Sequence, residues 1–232
     1  MSIAAASDLK FALDDIVLAF ERQHPDISVG VTYGASGMFF AQLLSRAPFD
    51  LFLSADVEYP RKLVEQGQAE KTTEFLYAIG HLVVWVPQSS PLDVDALGIR
   101  TVIDPAVRRV AIANPRHAPY GRAAEAALKS LKVYDAVQDR LVFGESVAQA
   151  AQFVSSAAAD AGIIALSLAL SPPLRDTGRF WRVPADAHPP LEQGGVILSW
   201  ARDRAAAEEV RRFMTGAAGR AILERYGFTL ER

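Results

Sequence analysis

The chain has 232 residues, half of them apolar and 22 % charged, with a formal net charge of −3. That is enough for one large domain or two lobes of about 100 residues each. The near-neutral charge excludes nucleic-acid binding through a broad positive surface, so any anion has to be held by a local site. There is no cysteine, which excludes disulfides, thiol catalysis and Cys-ligated metals. The four histidines (His24, His81, His117, His188) show no ligand-like spacing, so no metal-cation site is expected. No apolar run approaches the roughly 18 to 20 residues of a membrane span, and no basic–apolar–small leader is visible.

In chain order, Ile3 to Ala6 reads as a core strand, followed by Ser7-Asp8 and a helix with Leu9, Leu13, Ile16 and Phe20 on one face. Ser7 or Asp8 is a natural N-cap. Ile27, Val29 and Val31 alternate toward Tyr33, the strand period. Gly34-Ala35-Ser36-Gly37 then turns into a helix that Ser36 is placed to cap. Leu51-Phe52-Leu53 is a short strand before a helix with Pro60 in its first turn and Gly67 as its stop. Ala78 to Val86 reads as one long buried strand, and the stretch onward to Asp104 as turn-rich and peripheral. Val110 to Ala113 is a strand, Asn114 to Pro119 a loop, and Tyr120-Gly121 opens a helix. Leu141-Val142-Phe143 leads through Gly144-Glu145-Ser146 into a helix faced by Val147, Ala150, Ala151 and Val154. Ala161 to Ala165, Phe180 to Val183 and Gly195 to Ser199 are further strands. The C-terminus reads as two helices broken at Thr215-Gly216.

Strands alternating with helices make this an α/β chain with largely parallel sheets. One step recurs at Ser7, Ser36, Tyr120 and Ser146: strand, short turn, helix start. Ligands bind beyond the carboxyl ends of strands in such sheets, where helix N-termini point. Two such ends early and two in mid-chain suggest two lobes facing one another across a cleft. The groups offered are the hydroxyls of Ser7, Ser36 and Ser146 and the backbone N–H groups around Asp8, Ser36, Tyr120 and Val147. None of the four starts offers Lys or Arg. Such a donor-only set suits a fully deprotonated oxyanion, whose oxygens only accept hydrogen bonds. A serine hydrolase is disfavoured, because Met38 stands where the nucleophile elbow needs its second glycine. Phosphate-loop and dinucleotide fingerprints are absent. An ordinary structural role as helix cap remains the simplest account of any one of these residues taken alone.

Six motifs in order carry a resemblance. They are Ala5-Ala6-Ser7, Tyr33 to Gly37, Ala47 to Asp56, Ala113-Asn114-Pro115, Ala118 to Gly121, and Ser146 to Ala150. With them the chain resembles the molybdate-binding proteins of bacterial ABC importers nearly end to end. The resemblance implies a periplasmic-binding-protein fold of two α/β lobes, with mixed, mainly parallel sheets and a ligand cleft between them. The expected lobes are residues 1–79, then 80–195, with 196–232 returning to the first. Ala78–Val86 and Gly195–Ser199 would be the crossovers. It also implies capture of molybdate or tungstate and delivery to a membrane permease. The implied protein is a periplasmic, non-enzymatic monomer without a cofactor or a nucleic-acid partner. Carried over by residue, Ser7 and Ser36 give hydroxyl and N–H bonds, Tyr120 and Val147 give N–H bonds, and no side chain ligates the metal atom directly. Ala165 stands where some members place a tyrosine hydroxyl; the subset lacking it commonly has Asn where Asp8 stands here. A carboxylate beside a dianion is repulsive unless it points away and only its N–H is used. Other readings are a binder of sulfate or another oxyanion, an oxyanion-sensing domain, and an enzyme with Asp8 as its base.

Overall fold

The computed structural model describes residues 1–230. They form two units, Met1–Ile79 with the chain from Glu192 onward, and Gly80–Leu191. The first begins with β1 (Ser2–Ala6), a 3-10 turn at Ser7–Leu9, α1 (Lys10–Gln23), β2 (Gly30–Gly34), α2 (Ser36–Leu44), β3 (Leu51–Ser54), α3 (Glu58–Glu65) and β4 (Phe75–Gly80). The second unit contains β5 (Leu82–Pro87), α4 (Val94–Leu97), a 3-10 stretch at Gly98–Ile103, β6 (Val110–Ala113), α5 (Pro119–Ser130) and α6 (Tyr134–Val137). It continues with β7 (Leu141–Gly144), α7 (Val147–Ser155), β8 (Ala161–Ala165), α8 (Leu166–Ala169) and β9 (Gly178–Arg182). The chain then returns to the first unit with β10 (Leu191–Ile197), α9 (Arg204–Thr215) and α10 (Ala217–Arg225). Both units are mixed α/β, as read from the sequence.

The first unit's sheet runs β2-β1-β3-β10-β4. Its strands β2, β1 and β3 are mutually parallel, and β10 lies antiparallel to β3. Alternation explains why both faces need cover. Ile3, Ala5, Leu51 and Leu53 pack with Leu13, Ile16 and Phe20 of α1 and with Val210, Met214 and Leu223 of α9 and α10. Ala4, Phe52 and Val196 pack on the other face with Phe39 and Leu43 of α2 and Leu63 of α3. Asp50 fastens three separate segments of this unit. Its carboxylate accepts from the Ser2 N–H (2.6 Å), the Ser2 hydroxyl (3.2 Å) and the Arg202 N–H (2.6 Å). Burial pushes that carboxyl's pKa up, but the N–H groups of Ser2, Arg202 and Asp203 and the Ser2 hydroxyl outweigh it and hold it below the usual range.

The second unit's sheet runs β7-β6-β8-β5-β9, with β7, β6 and β8 parallel and β5 antiparallel to both β8 and β9. Three readings change here. The apolar run Ala78–Val86 is two strands, broken at His81 between β4 and β5, because the two halves join different sheets. The stretch before Asp104 is not peripheral: Val94, Thr101 and Val102 are buried, and the Asp93 carboxylate caps α4 at the Ala96 N–H (3.2 Å). The return to the first unit comes at Leu191–Glu192, so Glu192 to Gly195 stand on β10 with the rest of that strand.

Candidate functional site

In the first unit, β1 and β2 are parallel neighbours whose last paired residues are Ala6 and Gly34. The 3-10 turn Ser7–Leu9 and helix α2 therefore start side by side at the carboxyl edge of the sheet. Ser7, Asp8 and Ser36 are buried there, at 4 %, 1 % and 1 % exposure. Neither serine is the N-cap that its sequence position suggests. The caps are the backbones of Ala6 and Ala35, with no side-chain cap bond, and Ser36 is the first helical residue. The Ser36 hydroxyl oxygen instead accepts the Ala55 N–H at 3.0 Å. Accepting there leaves the hydroxyl's own hydrogen to donate elsewhere.

Asp8 does not cap its own helix either. Its Oδ2 lies 2.6 Å from the side-chain amide of Gln193 on β10. The same amide lies 3.0 Å from the hydroxyl of Tyr77 on β4, and that hydroxyl is 2.9 Å from the Ser54 carbonyl at the end of β3. Gln193 and Ser54 are wholly buried and Tyr77 nearly so. Burial, and after it the Asp8 carboxyl, pushes the Tyr77 pKa far above its ordinary value, so the phenol keeps its proton. Lys10, two residues past Asp8, is engaged by Asp14 at 3.3 Å. Gln193, Tyr77, Ser54 and Ala55 were not anticipated as parts of this site. One signal was present for Gln193, a long polar side chain inside an apolar strand and next to Gly194-Gly195.

In the second unit, β6 and β7 are likewise parallel neighbours, ending at Ala113 and Gly144. Helix α5 starts at Pro119 with Ala118 as cap, which puts Tyr120 in its first turn. First-turn N–H groups have no intrahelical acceptor and gather where the helix dipole favours an anion. Gly121 is required here, since a Cβ would lie 2.3 Å from the Ala113 carbonyl oxygen. Helix α7 starts at Val147, and Ser146 is its N-cap, accepting the Gln149 N–H at 3.3 Å. The Gln149 side chain accepts the Glu145 N–H at 2.6 Å, which fixes the approach to the helix. The two loops are tied together by the Asn114 N–H donating to the Gly144 carbonyl (2.7 Å) and by His117 Nε2 lying 3.3 Å from Glu145 Oε2. The Ser146 oxygen is thus engaged in capping, which leaves its hydroxyl hydrogen to donate as at Ser36, and the other donors of this unit are backbone N–H groups. Ala165, at the end of β8, is fully buried and brings no polar group.

The structure thus brings Ser7, Asp8 and Ser36 together in one unit and Tyr120 and Val147 together in the other. No cluster of three or more His, Cys, Asp or Glu suited to a metal ion occurs among the described residues. No helix among them is long and apolar enough to cross a membrane.

The family described as bacterial extracellular solute-binding protein matches residues 1–229. The molybdate-binding protein ModA of Rhodobacter capsulatus is 36 % identical over 88 % of this chain and 78 % of its own length. That of Azotobacter vinelandii is 34 % identical over 100 % of this chain and 90 % of its own. The solved structure of the Azotobacter vinelandii periplasmic molybdate-binding protein superposes with a TM-score of 0.92 at 32 % identity, covering 100 % of both chains.

Proposed function

This chain belongs to the bacterial extracellular solute-binding proteins, among the molybdate-binding members, and from that premise we propose that it captures molybdate or tungstate and hands it to the permease of an ABC importer. The observation that carries this reading is the repeated construction in the two units. Each sets two helix starts side by side at the ends of neighbouring parallel strands and offers hydroxyl and N–H donors there. In this proposal the donors recognise the oxygens of a dianion. Ser7 and Ser36 donate hydroxyl and N–H hydrogens, Asp8 donates its N–H, and Tyr120 and Val147 donate N–H hydrogens. No residue bonds to the metal atom; the oxo groups are what is recognised. A tetrahedral dianion has acceptors on every side, so neutral, pre-organised dipoles suffice to hold it. The same set rejects an anion carrying its own proton unless an acceptor is supplied. The protein acts as a periplasmic carrier and changes no bond in its ligand.

The test is isothermal titration of the purified protein with molybdate, tungstate, sulfate and phosphate at neutral pH. Tight one-to-one binding of the first two, with sulfate and phosphate at least a hundredfold weaker, is the expected result. Equal binding of sulfate would reassign the site to a smaller oxyanion. No binding of any of the four would overturn the reading, and so would chemical turnover of a bound anion.

A further inference from the structure

The two helix starts of the second unit are carried by loops that leave a common point. Strands β6 and β7 pair in parallel up to Ala113 and Gly144, and the Asn114 N–H extends that pairing to the Gly144 carbonyl at 2.7 Å. Beyond it the loops run separately to Pro119 and Val147. Each loop is stiffened by bonds of its own. The Asn114 side chain accepts the Arg116 N–H at 3.1 Å, and the Asn114 carbonyl accepts the Ala118 N–H at 2.9 Å. The Gln149 side chain accepts the Glu145 N–H at 2.6 Å. His117 then reaches from the first loop to the second. Its Nε2 lies 3.1 Å from the Glu145 carbonyl oxygen and 3.3 Å from Glu145 Oε2. A carbonyl only accepts, so Nε2 carries a hydrogen, whichever charge the ring bears.

The carbonyl that His117 holds governs the direction of a donor. It shares a planar trans peptide with the Ser146 N–H, which therefore points the other way. Ser146 is extended (φ −142°, ψ 168°), and in extended backbone successive peptides face opposite sides. The Val147 N–H thus leaves the chain on the same side as the Glu145 carbonyl, the side on which His117 lies. We propose that His117 is a positioning residue for the anion site: its Nε2–H holds the start of α7 to the start of α5 and so fixes the spacing of the Val147 and Tyr120 N–H groups. His117 precedes Tyr120 by three residues and Glu145 precedes Val147 by two, so little chain separates the tie from either donor. Molybdate and sulfate are both tetrahedral dianions whose oxygens only accept, so donor type does not separate them, whereas spacing does. A donor pair held at one spacing favours the ion that spans it, and a pair free to draw together loses that preference. The choice between ions rests on the molybdate reading; the hold of His117 on the two loops does not.

The experiment has two arms, and the first needs no ligand. Nitrogen-15 relaxation dispersion is recorded on the ligand-free protein, where the Tyr120, Ser146 and Val147 amides should show no microsecond-to-millisecond exchange. His117→Ala should introduce exchange at these amides, and so should His117→Phe, which keeps a ring's bulk without the N–H. His117→Gln, whose side-chain N–H has a similar reach, should abolish it again. Quiet amides in both the Ala and the Phe variants would overturn the hold. Quiet amides in the Phe variant alone would overturn it too, since packing and not the hydrogen bond would then be holding the loops. The second arm is calorimetry with molybdate and with sulfate. His117→Ala and His117→Phe should bind molybdate about tenfold more weakly while sulfate changes by less than about threefold, and His117→Gln should restore the wild-type ratio. Equal losses for the two ions, or an unchanged ratio, would overturn the part His117 takes in selectivity. If the wild type binds neither ion, the carrier reading fails, and the relaxation arm still decides whether His117 joins the loops.

Discussion

Ser36 shows how a hydroxyl becomes a donor by being used as an acceptor. Its oxygen takes the Ala55 N–H at 3.0 Å, in a place where the side chain is almost wholly buried. What remains to it is a hydrogen directed away from that contact. Ser146 accepts in the same sense but locally: its oxygen takes the Gln149 N–H at 3.3 Å and closes the first turn of α7. The two serines look alike in sequence, each after a strand and before an apolar helix. Ser36→Ala should therefore weaken molybdate binding by about ten- to a hundredfold, since a hydrogen bond to a charged group contributes about 1.5–3 kcal/mol. It should also lower the melting temperature, because the buried Ala55 N–H loses its acceptor at a cost of about 1–3 kcal/mol. Ser146→Ala should cost about 1 kcal/mol of stability as a lost cap, and much less affinity. Calorimetry and thermal melts on both variants check this; equal losses of affinity would mean that Ser146 also serves the ligand. The distinction was not legible in the sequence, because Ala55 lies 19 residues from Ser36 and meets it only through the pairing of β1, β2 and β3.

At the scale of elements, the site is made by where helices begin, and a helix begins where the chain can approach a strand end closely. Gly121 in the first turn of α5 is the sharpest case. An added Cβ would sit 2.3 Å from the Ala113 carbonyl oxygen and 2.8 Å from the Asn114 carbonyl carbon, both backbone atoms that cannot rotate away. Gly121→Ala should push the first turn of α5 off the end of β6 and carry the Tyr120 N–H with it. Overpacking of this kind costs about 1–3 kcal/mol, and about 2–4 °C of melting temperature per kcal/mol for a chain of this size. Loss of molybdate affinity beyond tenfold should accompany that change. A variant that is destabilised yet binds normally would detach Tyr120 from the site. The recurring strand–turn–helix step was legible, because Ile3, Ala5, Leu51 and Leu53 alternate with residues for the other face and Gly/Ser/Pro turns punctuate them. The Ala47–Asp56 block also stood out in the sequence, and the structure gives it reasons: Asp50 clamps Ser2 and Arg202, and Ala55 serves Ser36. The break at His81 was not legible, since an apolar run gives the same signal whether its halves join one sheet or two. Nor was the place of Gln193, which depends on β10 arriving between β3 and β4 from far along the chain.

At the scale of the whole chain, the second unit is one continuous segment, whereas the first is assembled from two segments separated by all of it. The consequence is unequal independence. Gly80–Leu191 holds every strand of its sheet and the helices that cover it. The segment before Gly80 holds β2, β1, β3 and β4 but lacks β10, the strand between β3 and β4. It also lacks α9 and α10, which place Val210, Met214 and Leu223 against Leu13 and Ile16 of α1. Without them β4 has no neighbour in the sheet, and one face of β1 and β3 stays uncovered. Large uncovered apolar faces do not offset the conformational entropy of ordering the chain. The fragment 80–191 should therefore melt in a cooperative transition by circular dichroism, and the fragment 1–79 should show none. Adding a peptide of residues 192–232 to the latter should restore helical and strand signal in proportion to its concentration, as mass action requires. A cooperative melt from 1–79 alone would refute this, and would mean that β2, β1 and β3 fix Ser7 and Ser36 by themselves. The expected dependence on the returning segment reaches the chemistry as well, because that segment carries Gln193, the residue that meets the Asp8 carboxyl. The chain thus places Ser7, Asp8 and Ser36, the first unit's proposed donors, near its beginning, and Gln193 meets the Asp8 carboxyl only after the second unit has been made.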